Sequence, residues 1–450
     1  MGELGREFKV AAMGEIMLTR PVSVYEEPDF LSVVKLFRDA DVAITNIEGF
    51  GFTGFVGARV VGTGGTPMLG ETWLAEEFKW MGFNLVSIAN NHVVDFGSEG
   101  LLASMDVLKD IRLSHAGAGK DQWDARQPGY VETSKGRAAM IATTSASMQV
   151  TPSTGIHTVA TESGNGLPGR PGVNGLRHDI IYTVTLQHFE GLKRINETWG
   201  QSSNPAMTAL RPKIDKEDIV FLGARFVVGD KPGVQHILLK QDLEGNLRAI
   251  QNAARNASLV VAANHCHEND PSLRSEWGNA SAEFIRQYAK DCIDTGAHIF
   301  YGHGDHAGQG MEIYKGRPIF YSLGNPIVTS QNVKRMALEE YERFGLERDA
   351  GIADWMVARW EQDGRHYAED NWMKAIVPVF TMVDGQLTEL KLYPIDGRAG
   401  EPPGTFVNRG SHVLMAKGEE AERIIERYRQ LSKPFGTEIK FKDGVGIVEV

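Results

Sequence analysis

Ser87-Ile-Ala-Asn-Asn-His-Val-Val-Asp-Phe-Gly97 is the stretch whose reading decides the fold. A largely apolar run from Phe83 to Ala89 ends in two side-chain amides and an imidazole, as a buried strand delivers polar groups to the edge of a sheet. Asn91 offers a neutral oxygen to a cation, His92 can ligate or move protons, and Asp95 is near enough in sequence to orient that imidazole. Alone, the stretch favours a plainer reading, a strand followed by a helix cap, with Asn90 or Asn91 capping and Gly97 turning the chain. Four other places repeat the pattern of an apolar strand ending in oxygen or nitrogen donors: Glu15, Asn46 to Glu48, His265 to Glu268, and His303 to His306.

Working outward, short apolar runs alternate with amphipathic stretches from Phe8 to about Ile141, the pattern of an α/β layer fold. Strands are expected at Lys9 to Gly14, Val42 to Ile47, Asn84 to Ile88, Tyr130 to Thr133 and Ala138 to Thr143. Helices are expected at Leu31 to Ala40, Thr72 to Met81 and Gly100 to Ile111. The glycine-rich segment Gly49 to Gly65 has no period and reads as a loop, a candidate lid. Ala116-Gly-Ala-Gly-Lys120 lacks the spacing of a phosphate loop and reads as a turn. Between about Ala146 and Gly233 the chain is rich in Ser, Thr, Gly and Pro with one clear helix, Thr183 to Trp199, which suggests an insertion. Its Arg170 and Arg177 are either anion-facing or surface arginines.

Later elements are a helix at Asp242 to Arg255, a strand at Leu259 to Ala263, a helix at Ala280 to Thr295 and a strand at His298 to Tyr301. A hairpin follows, Met311 to Tyr314 and Pro318 to Ser322 around Lys315-Gly316. Beyond Pro326 the chain suggests helices at Met336 to Phe344 and Glu419 to Leu431, with antiparallel strands at Trp372 to Val383 and Leu387 to Leu392. Residues 1–330 read as one unit with an insertion at about 146–233, and 331–450 as an extension that packs on or completes the second sheet.

Composition narrows the function. With 42% hydrophobic residues the chain can bury a large core, and a net charge of -11 argues against nucleic acid or an anionic membrane as partner. No apolar run has transmembrane length, Met1 to Arg6 has no apolar stretch of a signal peptide, and two cysteines make no disulfide framework. The expectation is a cytoplasmic protein without a membrane anchor in this chain, open to homo-oligomer formation.

Glu15, Glu48, Asn91, His265, His303 and His306 suit first-row metals such as Mn, Fe or Zn, since imidazole and carboxylate are their ligands. Six donors exceed one tetrahedral ion and fit two ions about 3.5 to 4 Å apart with a shared carboxylate. A single ion, or a vestigial site whose residues act as caps, is the other reading. His265 and His267, alternate residues of an extended segment, point the same way. Cys266 between them reads as a small core residue. His115, His157, His178, His188, His236, His298, His366 and His412 have no metal-spaced neighbours and read as surface or hydrogen-bonded core histidines.

These blocks resemble the CapA-type capsule-synthesis proteins, or poly-γ-glutamate synthesis group, of the calcineurin-like metallophosphatase superfamily. Gly14-Glu-Ile-Met-Leu-Thr-Arg20 is similar to the family's Gly-Asp-Xaa-Met-Leu-Gly-Arg, and Asn46-Ile-Glu-Gly49 to its Asn-Leu-Glu-Gly. Ala89 to Gly97, His265-Cys-His-Glu268, Gly302-His-Gly-Asp-His306 and Ile313 to Asn325 match further blocks. The resemblance implies a four-layer α/β/β/α sandwich with a binuclear centre at the strand ends. It places Glu15, Glu48, Asn91, His265, His303 and His306 on ligand positions, with Glu48 bridging, and His92 where a histidine assists the leaving group. Glu15 departs from the family's Asp, Met17 stands where the wider superfamily has histidine, and the family's membrane anchor has no counterpart here.

The resulting expectation is a metal-dependent hydrolase in which a cation-activated water attacks a carbonyl carbon or phosphorus. His92, oriented by Asp95, would protonate the leaving group. Arg20, Asn46, His267 and Glu268 would bind the substrate, with Arg20 clamping its anion. The substrate expected is a small or oligomeric acidic, γ-glutamyl-type amide. A phosphoesterase and a non-catalytic binding protein of capsule biosynthesis are the competing readings.

Overall fold

The computed structural model describes residues 6–49, 51–54, 56–57, 67, 69–148, 158–199, 211–329, 336–363, 372–397 and 412–450. Most of the expected loop Gly49 to Gly65, together with His157 and His366, lies outside the described residues. The fold is mixed α/β and organised by two large sheets. In the first, Glu7–Met17, Val42–Ile47, Leu85–Ser87 and Ser114–Ala116 run parallel in that order. In the second, Gly136–Thr144, Leu259–His265, Ile299–His303 and Arg317–Phe320 run parallel, with antiparallel strands Gly129–Thr133 and Met311–Tyr314 at the edges.

Side-chain alternation sets how these sheets pack. Ala138, Met140, Ala142, Val261, Ala263 and Tyr301 share one core with Val10, Ala12, Ile44 and Val86 of the first sheet. Their sequence neighbours Ala139, Ile141, Val260, Ala262 and Phe300 point the other way, against Ile250, Ala253, Ile285, Tyr288 and Cys292. Those last residues lie on the helices Lys240–Asn256 and Glu283–Thr295. A period of two in the strands is therefore divided between two cores. Tyr301 ties the sheets together, its hydroxyl donating to Met13 O at 2.7 Å.

The chain after residue 372 joins the first sheet directly. Lys374–Val383 pairs antiparallel with Glu7–Met17, and Gln386–Asp396 continues outward from it. The extension therefore lengthens the first sheet, while its helix Gly418–Ser432 meets the edge of the second, where Ser432 Oγ accepts from Met311 N at 3.1 Å. Strands Ile439–Lys442 and Val445–Val448 close the outer edge of the first sheet, and helix Gly418–Ser432 buries Ala421, Ile424, Ile425 and Tyr428 in the main core.

Among its described residues the 146–233 region holds a small sheet besides its helix. His178–Val184, Asp218–Phe221, Ala224–Val228 and Gly233–Leu238 form a four-stranded sheet. Thr183 belongs to its strand, and the helix starts at Leu186 with Thr185 capping His188 N. A buried network in which Asp179 accepts from Arg211 at 2.8 Å and Arg225 at 2.9 Å holds this sheet. Arg177 is not a free surface group: its fork grips a carboxylate of this chain, Asp242, at 2.7 and 2.8 Å. Among the described residues no helix is long and apolar enough to cross a membrane.

Candidate metal centre

All the donors predicted from the sequence come from the carboxyl ends of parallel strands, where ligand sites of α/β sheets form. Glu15 is paired in register with Asn46, and Asn46 with Ser87. Across the interface, His265 is paired with His303 on one side and Thr144 on the other. The first strand bulges between Ala12 and Glu15, which turns the Glu15 side chain toward the second sheet. Gly14 permits this, since a Cβ there would lie 1.9 Å from Gly324 O. Glu15 N then donates to Gly324 O at 2.8 Å, and Thr45 Oγ1 to Gly14 O at 2.7 Å.

The side chains converge tightly. His265 Nδ1 lies 2.9 Å from Glu15 Oε1 and 3.0 Å from His303 Nδ1. His265 Nε2 lies 2.9 Å from Asn91 Oδ1, 3.2 Å from His267 Nε2 and 4.0 Å from Glu48 Oε1. His306 Nε2 lies 3.7 Å from both Glu15 Oε2 and Glu48 Oε1. Three triplets have donor atoms within 4.8 Å of one another: Glu15, His265 and His303; Glu48, His265 and His267; and Glu15, Glu48 and His306. Glu15, Glu48, His265 and His303 are at most 1% exposed. Buried polar atoms are ordinarily hydrogen-bonded, yet Glu15 Oε2, Glu48 Oε1 and His303 Nε2 have no hydrogen-bond partner. Orphaned donor atoms of oxygen and imidazole type fit a divalent cation.

Electrostatics agree with that fit. Burial pushes the Glu15 carboxyl well above its ordinary pKa, and the charge of Glu48 pushes it further. Burial works against a charged Glu48 as well, but His306 and His265 hold its pKa below the ordinary value. His306 itself rises to about 9, with burial opposed by Glu48 and Glu15. Burial lowers His265 to about 4 and takes His303 well below its ordinary value. Protons on Glu15 and His306 thus balance the buried charge of the cluster, a balance that cations can supply instead.

His92 sits beside the cluster on a turn built by its neighbours. Asn90 donates to Ile47 O at 2.8 Å and accepts from His92 N at 3.0 Å, so Asn90 fixes this turn rather than capping the helix Gly97–Asp110. His92 Nδ1 meets Asp95 Oδ2 at 2.8 Å. Burial disfavours the charged ring, and Asp95 outweighs it, raising the His92 pKa to about 9.

The expected substrate residues divide. Asn46 is fully buried and donates to Glu15 Oε1 at 3.4 Å. Glu268 accepts from Ser145 at 3.0 Å and from the Cys266 thiol at 3.3 Å, inside the wall of the site. His267 is exposed and grouped with Glu48 and His265 as a donor. Arg20 is half-buried over the Tyr25 ring at 5.9 Å, its Nε and Nη2 without partners, and no hydrogen bond or ion pair joins it to the cluster among the described residues. Met17 packs with Val328 and Met373 and presents no ligand. Two neighbours were not expected: Asn325, whose Nδ2 reaches Glu48 Oε2 at 3.5 Å, and Trp372, whose ring lies 4.9 Å from that of His306. Asn325 closes a block that the sequence resemblance already quoted, whereas nothing in the local pattern marks Trp372.

A family model described as "Bacterial capsule synthesis protein PGA_cap" matches residues 9–330. A Sinorhizobium fredii protein, "Uncharacterized protein y4sH", is 31% identical over 98% of this chain and 93% of its own length. "Capsule biosynthesis protein CapA" of Bacillus anthracis is 25% identical over 61% of this chain and 47% of its own length. A "Probable polyglutamine synthesis accessory protein" of Mycobacterium tuberculosis is 23% identical over 54% of this chain and 45% of its own length.

Proposed function

The chain belongs to the bacterial capsule synthesis protein family, and from that membership and its strand-end cluster we propose a metal-dependent hydrolase acting on an acidic, γ-glutamyl-type amide. The observation that carries the reading is the convergence of buried Glu15, Glu48, His265 and His303 with unpartnered donor atoms among them. Glu15, Glu48, Asn91, His265, His303 and His306 are the proposed ligands of two divalent ions, Mn, Zn or Fe, with His267 a further donor. When bound, such ions lower the pKa of a water and polarise the scissile oxygen. His92, oriented by Asp95, offers a proton from Nε2, the ring nitrogen that Asp95 leaves open, to the departing group. Asn46 and Glu268 position the walls, while Arg20 faces the substrate.

The packing of the two sheets and their helices supports the four-layer α/β/β/α arrangement as our finer reading of the fold. Two free, buried cysteines support a cytoplasmic setting. The names of the capsule and polyglutamine-synthesis relatives favour an amide over a phosphoester.

Turnover of γ-glutamyl peptides, cyclic amides and aryl phosphates with added Mn²⁺ or Zn²⁺ tests the reading. Hydrolysis of amides supports it, and hydrolysis of phosphate esters alone replaces it with a phosphoesterase. A non-catalytic capsule-biosynthesis binding protein is the second reading, favoured by Met17 lying in an apolar cluster instead of supplying a ligand. Metal uptake without any turnover would favour that one.

A further inference from the structure

His265 and His303 are the last paired residues of their strands, whereas His267 and His306 lie on the chain just beyond them. The ladder fixes the first two, so the other two imidazoles depend on what holds the segments after the strands. Their rings stand edge-on with centroids 6.3 Å apart.

One buried amide spans the two segments. Gln309 is 3% exposed, and its Oε1 accepts from Ser281 Oγ at 2.5 Å. Its Nε2 donates to Asn269 Oδ1 at 2.7 Å and to Asp305 Oδ2 at 3.0 Å. Asn269 and Ser281 belong to the loop that carries His267, and the two are bridged to each other. Asp305 precedes His306 and closes its turn, its Oδ1 accepting from Ala307 N and its main-chain oxygen from Gly308 N, both at 3.0 Å. Asn279 Nδ2 adds a longer contact from the His267 loop to Asp305 Oδ2, at 3.2 Å. Ser322 Oγ and Asn325 N also hold the turn, through the main-chain oxygens of Asp305 and His306 at 2.8 and 2.9 Å, but neither belongs to the His267 loop. Because both hydrogens of the Gln309 amide and its oxygen are engaged, the group has one orientation.

We propose that Gln309 is a positioning residue of the metal centre, whose amide joins the His267 loop to the His306 turn and so sets where these two imidazoles stand relative to Glu48. His267 and His306 belong to different donor triplets that share Glu48, so their separation is what a pair of ions would sense. The inference rests on the metal-dependent reading and extends it to a side chain whose hydrogen bonds reach none of the proposed ligands.

The test loads the full chain with Co²⁺ or Zn²⁺. Visible absorption of the Co²⁺ form reports ligand geometry, and titration against a chromogenic chelator gives affinity. Gln309→Met keeps the volume and removes the amide. In that variant at least one ion should bind about 10–100-fold more weakly, the cost of losing an outer partner of a ligand, and the Co²⁺ bands should shift. Combining Gln309→Glu with Asp305→Asn again sets a donor against an acceptor, and recovery of part of the affinity supports the role. A mere brace would lower the urea midpoint of the metal-free chain and leave affinity and bands as in wild type, and that result overturns the proposal. Should Gln309→Met not fold, Ser281→Ala decides on the same readouts, because it removes the donor to Gln309 Oε1. If wild type takes up no ion, the metal-dependent reading falls and the positioning role with it. If wild type binds ions and the folded variant binds them identically, the role alone falls. Shifted bands in a chain that never hydrolyses substrate would keep the role and remove the hydrolase.

Discussion

Replacing His303 by alanine strikes the cluster at an enclosed nitrogen. The ring is fully buried, with Nδ1 3.0 Å from His265 Nδ1 and 3.7 Å from Glu15 Oε1, and Nε2 unpartnered. Losing a group that merely orients a ligand costs about 10–100-fold in metal affinity, so losing a ligand should cost at least about 100-fold. A cation at about 100 times its Kd stabilises the folded chain by about 2.7 kcal/mol. For 450 residues the unfolding entropy is about 0.95 kcal/mol/K, so one ion raises Tm by about 3 °C. In the variant the same concentration is about one Kd, worth about 0.4 kcal/mol and under about 1 °C. The assay is thermal unfolding of metal-stripped chains with and without Mn²⁺ or Zn²⁺. Comparing the metal-dependent increments removes the cost of deleting a buried ring. An equal increment in both chains would show that His303 holds no cation.

Further substitutions separate the parts of the site. Asp95→Asn and His92→Gln should each lower kcat by about 10²–10⁴-fold with bound metal unchanged; metal analysis showing loss of ions would make His92 a ligand instead. Gly14→Ala sets a Cβ 1.9 Å from Gly324 O. It should cost about 1–3 kcal/mol in urea unfolding and shrink the metal-dependent Tm increment, and a chain unaffected in both would contradict the close approach. Acid sensitivity comes from His178, pushed to about 3 by burial, and His298, pushed to about 4 by burial. Both stay neutral in the folded chain while the unfolded chain gains protons below about 6.5, so stability is full above that pH and falls toward pH 4. Each group contributes a slope of up to about 1.4 kcal/mol per pH unit. His178→Phe should flatten the fall in urea midpoint between pH 7 and pH 5, and an unchanged fall would remove His178 from the cause.

Much of the fold was legible because apolar runs and turn residues are local signals. Val42–Ile47 is buried throughout and begins and ends where its composition changes. Lys315 and Gly316 both have positive φ, 52° and 71°, as a two-residue hairpin turn requires. Strand ends were less legible where chemistry sits. Leu259 to Ala263 was expected to stop before Asn264 and His265, yet both remain in the ladder, because the site uses the last paired residues. The helix expected from Ala280 starts at Glu283, since Ser281 is held by Gln309 and bridged to Asn269.

Pairings between distant segments left no local mark. Lys374–Val383 meets Glu7–Met17 across more than 350 residues, and nothing in either strand names its partner. The same holds for Trp372 over His306 and for the strand His178–Val184 within the insertion. Helix Ile352–Asp363 lacked a clean apolar period and was not expected. The alternation that placed His265 and His267 on one side did locate both rings, whose Nε2 atoms lie 3.2 Å apart.

Anomalous scattering from a crystal grown with Mn²⁺ or Zn²⁺, recorded across the absorption edge of that metal, reaches the central claim most directly. The account predicts two peaks about 3.5–4 Å apart, enclosed by Glu15, Glu48, Asn91, His265, His303 and His306. A well-diffracting crystal with no anomalous peak among those side chains would contradict it.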